Sequence, residues 1–334
     1  MMFDKKINIY VPTYNSENTI EKSILSILNQ SYKNFTLTVI DNCSSDNTIK
    51  ILKNINDKRI KIVCRKKNFG VINNLNYAFS ISKGDFAAVY HSNDIYHKDI
   101  LRKQLNLLKK NPDIKITFCN AYILGSDGKH IDVLKDKVKN KIKYDLVQVI
   151  RLLLKHYNFF VCQSAFFKPS FYKKNIKKWD YKFGMSSDLD LWLRFLTKTK
   201  VIFLKDVLVK TTIGKSQASY AEKNKIGKSD FFKVVNHHIK KNQIELKSDD
   251  IKNLKLLLQR DMIRQIINFF ILKNYKMALK LSKKINLFNL FFKYKISKKI
   301  CLIIVIKYIV ILSSLVNKNL LRKIIIFINE KYIT

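Results

Sequence analysis

Four short apolar runs, each followed by a stretch of helical period, constrain this chain more than any other feature. Ile7 to Val11 alternates and breaks at Pro12, while Phe35 to Ile40, Ile60 to Cys64 and Phe86 to Tyr90 are compact β-branched or aromatic runs. Between them, Ser16 to Asn18 can cap a helix whose apolar face includes Ile20, Ile24, Leu25, Ile27 and Leu28. Thr48 to Ile55 and about Ile72 to Ser82 read as two further helices. Strands alternating with helices at this spacing are βαβ units. They predict an α/β fold with a mostly parallel, Rossmann-like sheet flanked by helices and right-handed crossovers.

Every one of these strands ends on polar residues, and a parallel sheet gathers those ends on one edge. Pro12, Thr13, Tyr14 and Asn15 follow the first strand, Asp41 closes the second, Arg65 and Asn68 follow the third, and His91 to Asp94 follow the fourth. Open α/β sheets bind nucleotides along that edge. The phosphate-binding fingerprints of the commoner nucleotide folds are missing: no GxGxxG follows the first strand and there is no GxxxxGK[ST]. A diphosphate must then be held another way, and a divalent cation on the hard oxygens of Asp94 is the natural candidate. The competing reading is a strand-to-helix turn in which Asn93 and Asp94 merely cap the helix after Tyr96.

Downstream, Asp99 to Lys110 and Asp145 to Lys155 have helical period, and Ile114 to Leu124 and Phe159 to Phe167 read as strands. Ser186 to Arg194 forms a second polar constellation. As a helix it puts Leu189, Trp192 and Leu193 on an apolar face and Asp188 in the first turn, where the helix dipole favours an anion. Alternatively, Asp188 caps that helix and Asp190 pairs with Arg194 at i,i+4. No Ser-His-Asp arrangement or paired-carboxylate spacing suggests a covalent intermediate.

The formal charge of +39 admits attraction to polyanions or a general lysine bias. Lysines are spread through every segment without a nucleic-acid-binding motif, so no specific nucleic acid is expected. The five cysteines are odd in number and lack metal-site spacing, which predicts free thiols. The N-terminus enters a strand pattern without a signal-peptide core, so a cytoplasmic protein is expected. Residues 225–334 carry 24 Lys and Arg against 6 Asp and Glu, interleaved with apolar stretches. They are expected to form a basic helical region, either a structural cap or, around 300–316, a helix lying peripherally on an anionic membrane.

The pieces VPTYNSENTI, VIDNCSSDNT, NFGVINNLNYAFSISKGDF, VYHSNDIY and SSDLDLWLRF, in this order over residues 7 to about 215, resemble the family 2 inverting glycosyltransferases of the GT-A fold. The resemblance implies a GT-A domain over 1–220, with a nucleotide-binding half to about 125 and an acceptor half over 126–220, ahead of the basic region 221–334. It implies that the donor is a nucleotide sugar, UDP-linked or another nucleoside diphosphate, and that the acceptor is a glycan or lipid-linked surface-polysaccharide precursor. Pro12, Thr13, Tyr14, Asn15, Glu17, Asp41, Asn68 and Asn93 would hold the donor, Asp94 would hold Mg²⁺ or Mn²⁺, and Asp188 would be the general base. The chain departs from the family at His91, Asn93 and Ser187. It also lacks an Arg/His pair in VKTTIGKSQAS, where Lys210 and Lys215 are the basic residues. These departures motivate a rival expectation, a degenerate member that binds a nucleotide sugar or glycan without catalysis.

Overall fold

The computed structural model describes residues 5–124, 130–134, 137–212 and 225–285. The chain divides into two compact units. Described residues up to 212 form the first, and 225–285 fall in the second.

The first unit is built on one sheet. Strands β1 (Ile7–Thr13), β2 (Phe35–Asp41), β3 (Ile60–Cys64) and β4 (Phe86–Val89) are joined by helices α1 (Ile20–Leu28), α2 (Thr48–Asn54) and α3 (Val71–Ser80). They pair in parallel, as the sequence predicts, in the order β3-β2-β1-β4. The chain continues through β5 (Ile95–Tyr96), α4 (Ile100–Lys110), β6 (Ile116–Leu124), β7 (His130–Asp132), β8 (Lys143–Tyr144) and α5 (Leu146–His156). It ends this unit with β9 (Phe166–Phe167), α6 (Pro169–Asn175), α7 (Ser187–Leu196) and β10 (Val201–Thr212). Strand β9 lies between β4 and β6 and is antiparallel to both, whereas β10 is parallel to β6. The sheet is therefore parallel from β3 to β4 and mixed beyond β4.

Alternation explains the burial. In β1, Ile7, Ile9 and Val11 are fully buried on one face. On the other, Tyr10 Oη donates to Ile81 O at 3.2 Å and Asn8 Nδ2 to Lys83 O at 2.9 Å, both just past α3. Those bonds show that α3 covers the even-numbered face. Glycine is required at one point in this joint. Gly84 has φ +88°, and a Cβ there would meet Asn8 Nδ2 at 2.3 Å. Beyond β4, aromatic rings fill the core: Trp192 contacts Phe79, Phe118, Trp179 and Phe195, with ring centroids 5.1 to 6.2 Å apart.

One expected strand is mostly absent. Of Phe159 to Phe167 only the last two residues pair in the sheet, and Cys162–Ser164 form a short 3₁₀ turn. The apolar run is buried because it packs, not because it pairs. Ser164 Oγ donates to Val161 O at 2.7 Å and accepts from Cys119 N at 3.1 Å, and Gln104 Nε2 donates to Ser164 O at 2.8 Å. Side-chain bonds thus satisfy the backbone that a ladder would have used.

In the second unit, α8 (Asp230–Lys241), α9 (Ser248–Ile271) and α10 (Tyr275–Ser282) bury Phe231, Phe232, Val235, Ile266, Ile267 and Ala278. No helix among the described residues is long and apolar enough to cross a membrane. The stretch 300–316, Cys301 and the expected boundary at 220 lie outside the described residues. Cys43, Cys64, Cys119 and Cys162 are free thiols.

Candidate active site

The loops after β1, β2 and β3 are tied to one another by side chains. Asn15, at φ 45°, donates its N–H to Ser44 Oγ at 2.9 Å and accepts from Ser45 N at 2.9 Å. Glu17 Oε2 accepts from the backbone and side chain of Asn47 at 3.0 and 2.9 Å. The Asp41 carboxylate, 2% exposed, accepts from Ser44 N at 2.9 Å and from the Ser44 hydroxyl. Asn68 Oδ1 accepts from Gly70 N at 2.8 Å and from Asn42 Nδ2 at 2.7 Å. Thr13 is buried with a hydroxyl oxygen that has no hydrogen-bond partner, Pro12 is half-buried, and Tyr14 is 46% exposed beside it.

Asn42 is the residue that sequence reasoning missed here. It is 2% exposed, its N–H donates to Thr13 O at 2.9 Å, its Nδ2 reaches Asn68, and its Oδ1 accepts from Phe69 N at 3.1 Å. Its side-chain amide ties the loops after β2 and β3, and its backbone N–H ties them to the end of β1. The signal was an Asn directly after the strand-ending Asp, which reads equally well as an ordinary turn former.

The turn after β4 is pinned as well. The Tyr90 and Tyr96 rings stack with centroids 3.9 Å apart, Tyr96 Oη accepts from His91 N at 2.7 Å, and Ser23 Oγ donates to His91 O at 3.1 Å. Ser92 Oγ lies 3.0 Å from Ser16 Oγ, and half-buried Asn93 follows. Pairing of β5 with β10, Tyr96 opposite Val209, closes the turn. Inside it Asp94 is 1% exposed, and neither carboxylate oxygen has a hydrogen-bond partner within ordinary length. Its polar neighbours are the Thr211 side chain and His91 Nδ1, at 3.8 Å from Oδ2. Burial pushes Asp94 up to about 7, against a smaller lowering by Thr211. Burial likewise holds His91 down near 4. Asp94 does not cap the next helix, whose N-cap is Asp99.

Asp188 stands in the first turn of α7. Its Oδ1 accepts from Leu189 N at 2.7 Å, and burial raises it to about 6 against that bond. The N-cap of α7 is Ser186, which makes no side-chain cap bond, so Asp188 is not spent as a cap. Neighbouring Ser187 accepts from Trp179 Nε1 at 2.8 Å. Asp190 does pair with Arg194, at 2.9 Å, but buried at 1% exposure and not solvated. Cys162 stands in the 3₁₀ turn that Ser164 pins, and it senses the charge of both candidate acids. Burial first, then the negative charges of Asp188 and Asp94, raise its thiol well above the usual range. Lys210 is exposed on β10, and Lys215 lies outside the described residues.

Loops fixed by their own hydrogen bonds at a sheet edge, together with carboxylates whose pKa values burial raises, are suited to holding a polar ligand and moving a proton. Residues 8–175 match the family described as Glycosyl transferase family 2, half of the chain. The chain belongs to that family, and its fold is that of the GT-A glycosyltransferases. It is 36% identical over 128 residues to the Escherichia coli UDP-Glc:alpha-D-GlcNAc-diphosphoundecaprenol beta-1,3-glucosyltransferase WfgD, covering 38% of this chain and 50% of that one. Among solved structures, Staphylococcus aureus TarS 1–349 in complex with UDP-GlcNAc matches 92% of this chain and 91% of that one, with TM-score 0.60 and 18% identity. The mannosyltransferase PcManGT of Pyrobaculum calidifontis, in complex with GDP-Man and Mn2+, matches 98% of this chain and 86% of that one, with TM-score 0.53 and 14% identity.

Proposed function

We propose that this glycosyltransferase moves a sugar from a nucleoside-diphosphate donor to a hydroxyl of a glycan or lipid-linked precursor by a single inverting displacement. The observation that carries this reading is the pair Asp94 and Asp188. They are carboxylates from distant parts of the chain, Asp94 buried and Asp188 half-buried, both raised by desolvation, and the charge of each is felt by the Cys162 thiol.

A hard divalent cation fits Asp94, because two buried carboxylate oxygens without partners are what such an ion accepts. When bound, Mg²⁺ or Mn²⁺ would neutralise charge on the departing diphosphate. Thr13, Tyr14, Asn15 and Asp41, with Asn68 and Asn93, border the donor, and bonds of Asn15 and Asp41 to Ser44, of Thr13 and Asn68 to Asn42 and of Asn68 to Gly70 hold the loops in place before it arrives. Glu17 braces the same loop through Asn47. Asp188, ionised above about pH 6, accepts the proton of the acceptor hydroxyl as that oxygen attacks the anomeric carbon from the face opposite the leaving group. Its poise comes from burial opposed by the Leu189 N–H. No enzyme nucleophile is needed in a single displacement. The bound ligands of the two solved neighbours support a nucleotide-sugar donor, Mn2+ in one supports the cation, and the acceptor named for the E. coli relative supports a lipid-linked precursor.

The test is release of nucleoside diphosphate from UDP- and GDP-sugars by the purified protein with Mn2+ or with EDTA, followed by NMR of the product anomer. Mn2+-dependent transfer with inversion is expected. Donor binding without turnover would instead favour a degenerate, binding-only member, and a retained anomer would overturn the single displacement.

A further inference from the structure

The first turn of α7 carries Asp188, yet its own cap does not hold it, because Ser186 makes no side-chain cap bond. The hold comes from outside the helix. Trp179, in the stretch between α6 and α7, donates its indole Nε1–H to Ser187 Oγ at 2.8 Å, one residue before Asp188. Both ends of that bond are buried, Trp179 at 4% and Ser187 at 2% exposure. A satisfied polar contact closed off from water stiffens what it joins.

Trp179 is held in turn by α3. Asn76 Nδ2 donates to Trp179 O at 2.8 Å, and Asn76 Oδ1 accepts from Trp179 N at 2.7 Å, so one amide takes both backbone groups of a residue 103 positions away. It serves Trp179 as a neighbouring strand would. Phe79, three residues further along α3, meets the indole edge-on with centroids 5.9 Å apart, and Trp192 of α7 meets it at 6.1 Å. Helix α3 is itself referenced to the donor loops. It starts directly after Gly70, and Asn74 Nδ2 donates to Ile40 O at 3.1 Å, one residue before Asp41. A chain of bonds therefore runs from the end of β2 through α3 to the turn that bears the base.

We infer that Asn76, acting through Trp179 and Ser187, is a positioning residue that sets the Asp188 carboxylate against the acceptor hydroxyl. This deepens the displacement proposed above and rests on it. The experiment compares the full-length wild type with Asn76→Ala, Trp179→Phe, Ser187→Ala and the last two combined. Three quantities are read: steady-state transfer, calorimetric affinity for UDP and GDP with Mn2+, and carbon-13 NMR titration of the Asp188 carboxyl, assigned with Asp188→Asn. Asn76→Ala is expected to lower kcat about a hundredfold and Trp179→Phe about tenfold, the scale of a misplaced group, with nucleotide affinity kept within about threefold. Trp179→Phe and Ser187→Ala cut the same bond, so the double variant is expected to fall no further than the worse single one. The wild-type carboxyl titrates at about 6 because it is desolvated, with the Leu189 N–H opposing. A loosened turn admits water while that N–H moves with it, so in each variant the titration is expected to fall toward the ordinary value of about 4. Circular dichroism melts check folding. If Asn76→Ala does not fold, Trp179→Phe decides, since it keeps a ring against Phe79 and Trp192. Folded variants whose kcat and Asp188 titration match wild type would overturn the inference, as would an equal loss of nucleotide binding, the mark of general destabilisation. A wild type that transfers no sugar would overturn the displacement beneath it, while the Asp188 titration still decides the positioning.

Discussion

The loops after β1 to β3 and the pair Asp94 and Asp188 are both polar, yet their hydrogen bonding differs. Around Asp41, Asn42 and Asn68 most polar groups find partners within the loops. Asp94 has none of ordinary length, and Asp188 has one short backbone bond. Satisfied groups hold a shape, while a buried carboxylate without partners, such as Asp94, is costly to ionise and gains from an incoming ligand. On this account the first region is a mould and the second is the machinery.

The largest effect expected from breaking this contrast is at Asp188. Asp188→Asn keeps the shape and the contact with Leu189, so it should lower transfer by roughly a thousandfold, the scale of a lost general base, in steady-state assays. Nucleotide affinity, measured by calorimetry, should stay within about threefold. Next comes pH. At saturating donor and Mn2+, kcat/KM for the acceptor should rise through about pH 6 and fall about tenfold per unit below it, because only ionised Asp188 accepts a proton.

In the mould the expected cost is structural. Asn42→Ala leaves Phe69 N–H without its acceptor and removes one of the two bonds to Asn68 Oδ1, and should destabilise the fold by about 1–3 kcal/mol, read in urea melts, without moving the acidic limb of the rate profile. The smallest effect belongs to Glu17→Gln. The amide oxygen still accepts from Asn47, so stability should change by less than about 0.5 kcal/mol. An effect on rate as large as that at Asp188 would erase the distinction between the two regions.

Much of the mould was legible in the sequence, because strand ends in a parallel sheet gather on one edge whatever the details. Period and turn chemistry placed Thr13, Asp41, Asn68 and Asp94 there. The role of Asn42 was not legible, since it depends on three partners spread from Thr13 to Phe69. Nor was the turn at Cys162–Ser164, because an apolar run gives the same signal whether it pairs in a sheet or packs against one. The choice between cap and functional group for Asp94 and Asp188 needed burial, which periodicity does not supply. At Asp190 the local i,i+4 reading gave the right partner and the wrong environment, for the same reason.

The most direct test of the contrast is the melting temperature of ligand-free wild type and Asp94→Asn between pH 5 and 8. Asp94 titrates near 7 in the fold and near 4 in the unfolded chain, so its contribution to stability is present below about pH 4 and lost as pH rises through 7. Asp94→Asn should therefore melt above wild type, with a gap that widens up to about pH 7.5 and reaches on the order of 2 kcal/mol. A variant that melts at or below wild type at every pH would contradict the claim that Asp94 is held unsatisfied for a ligand.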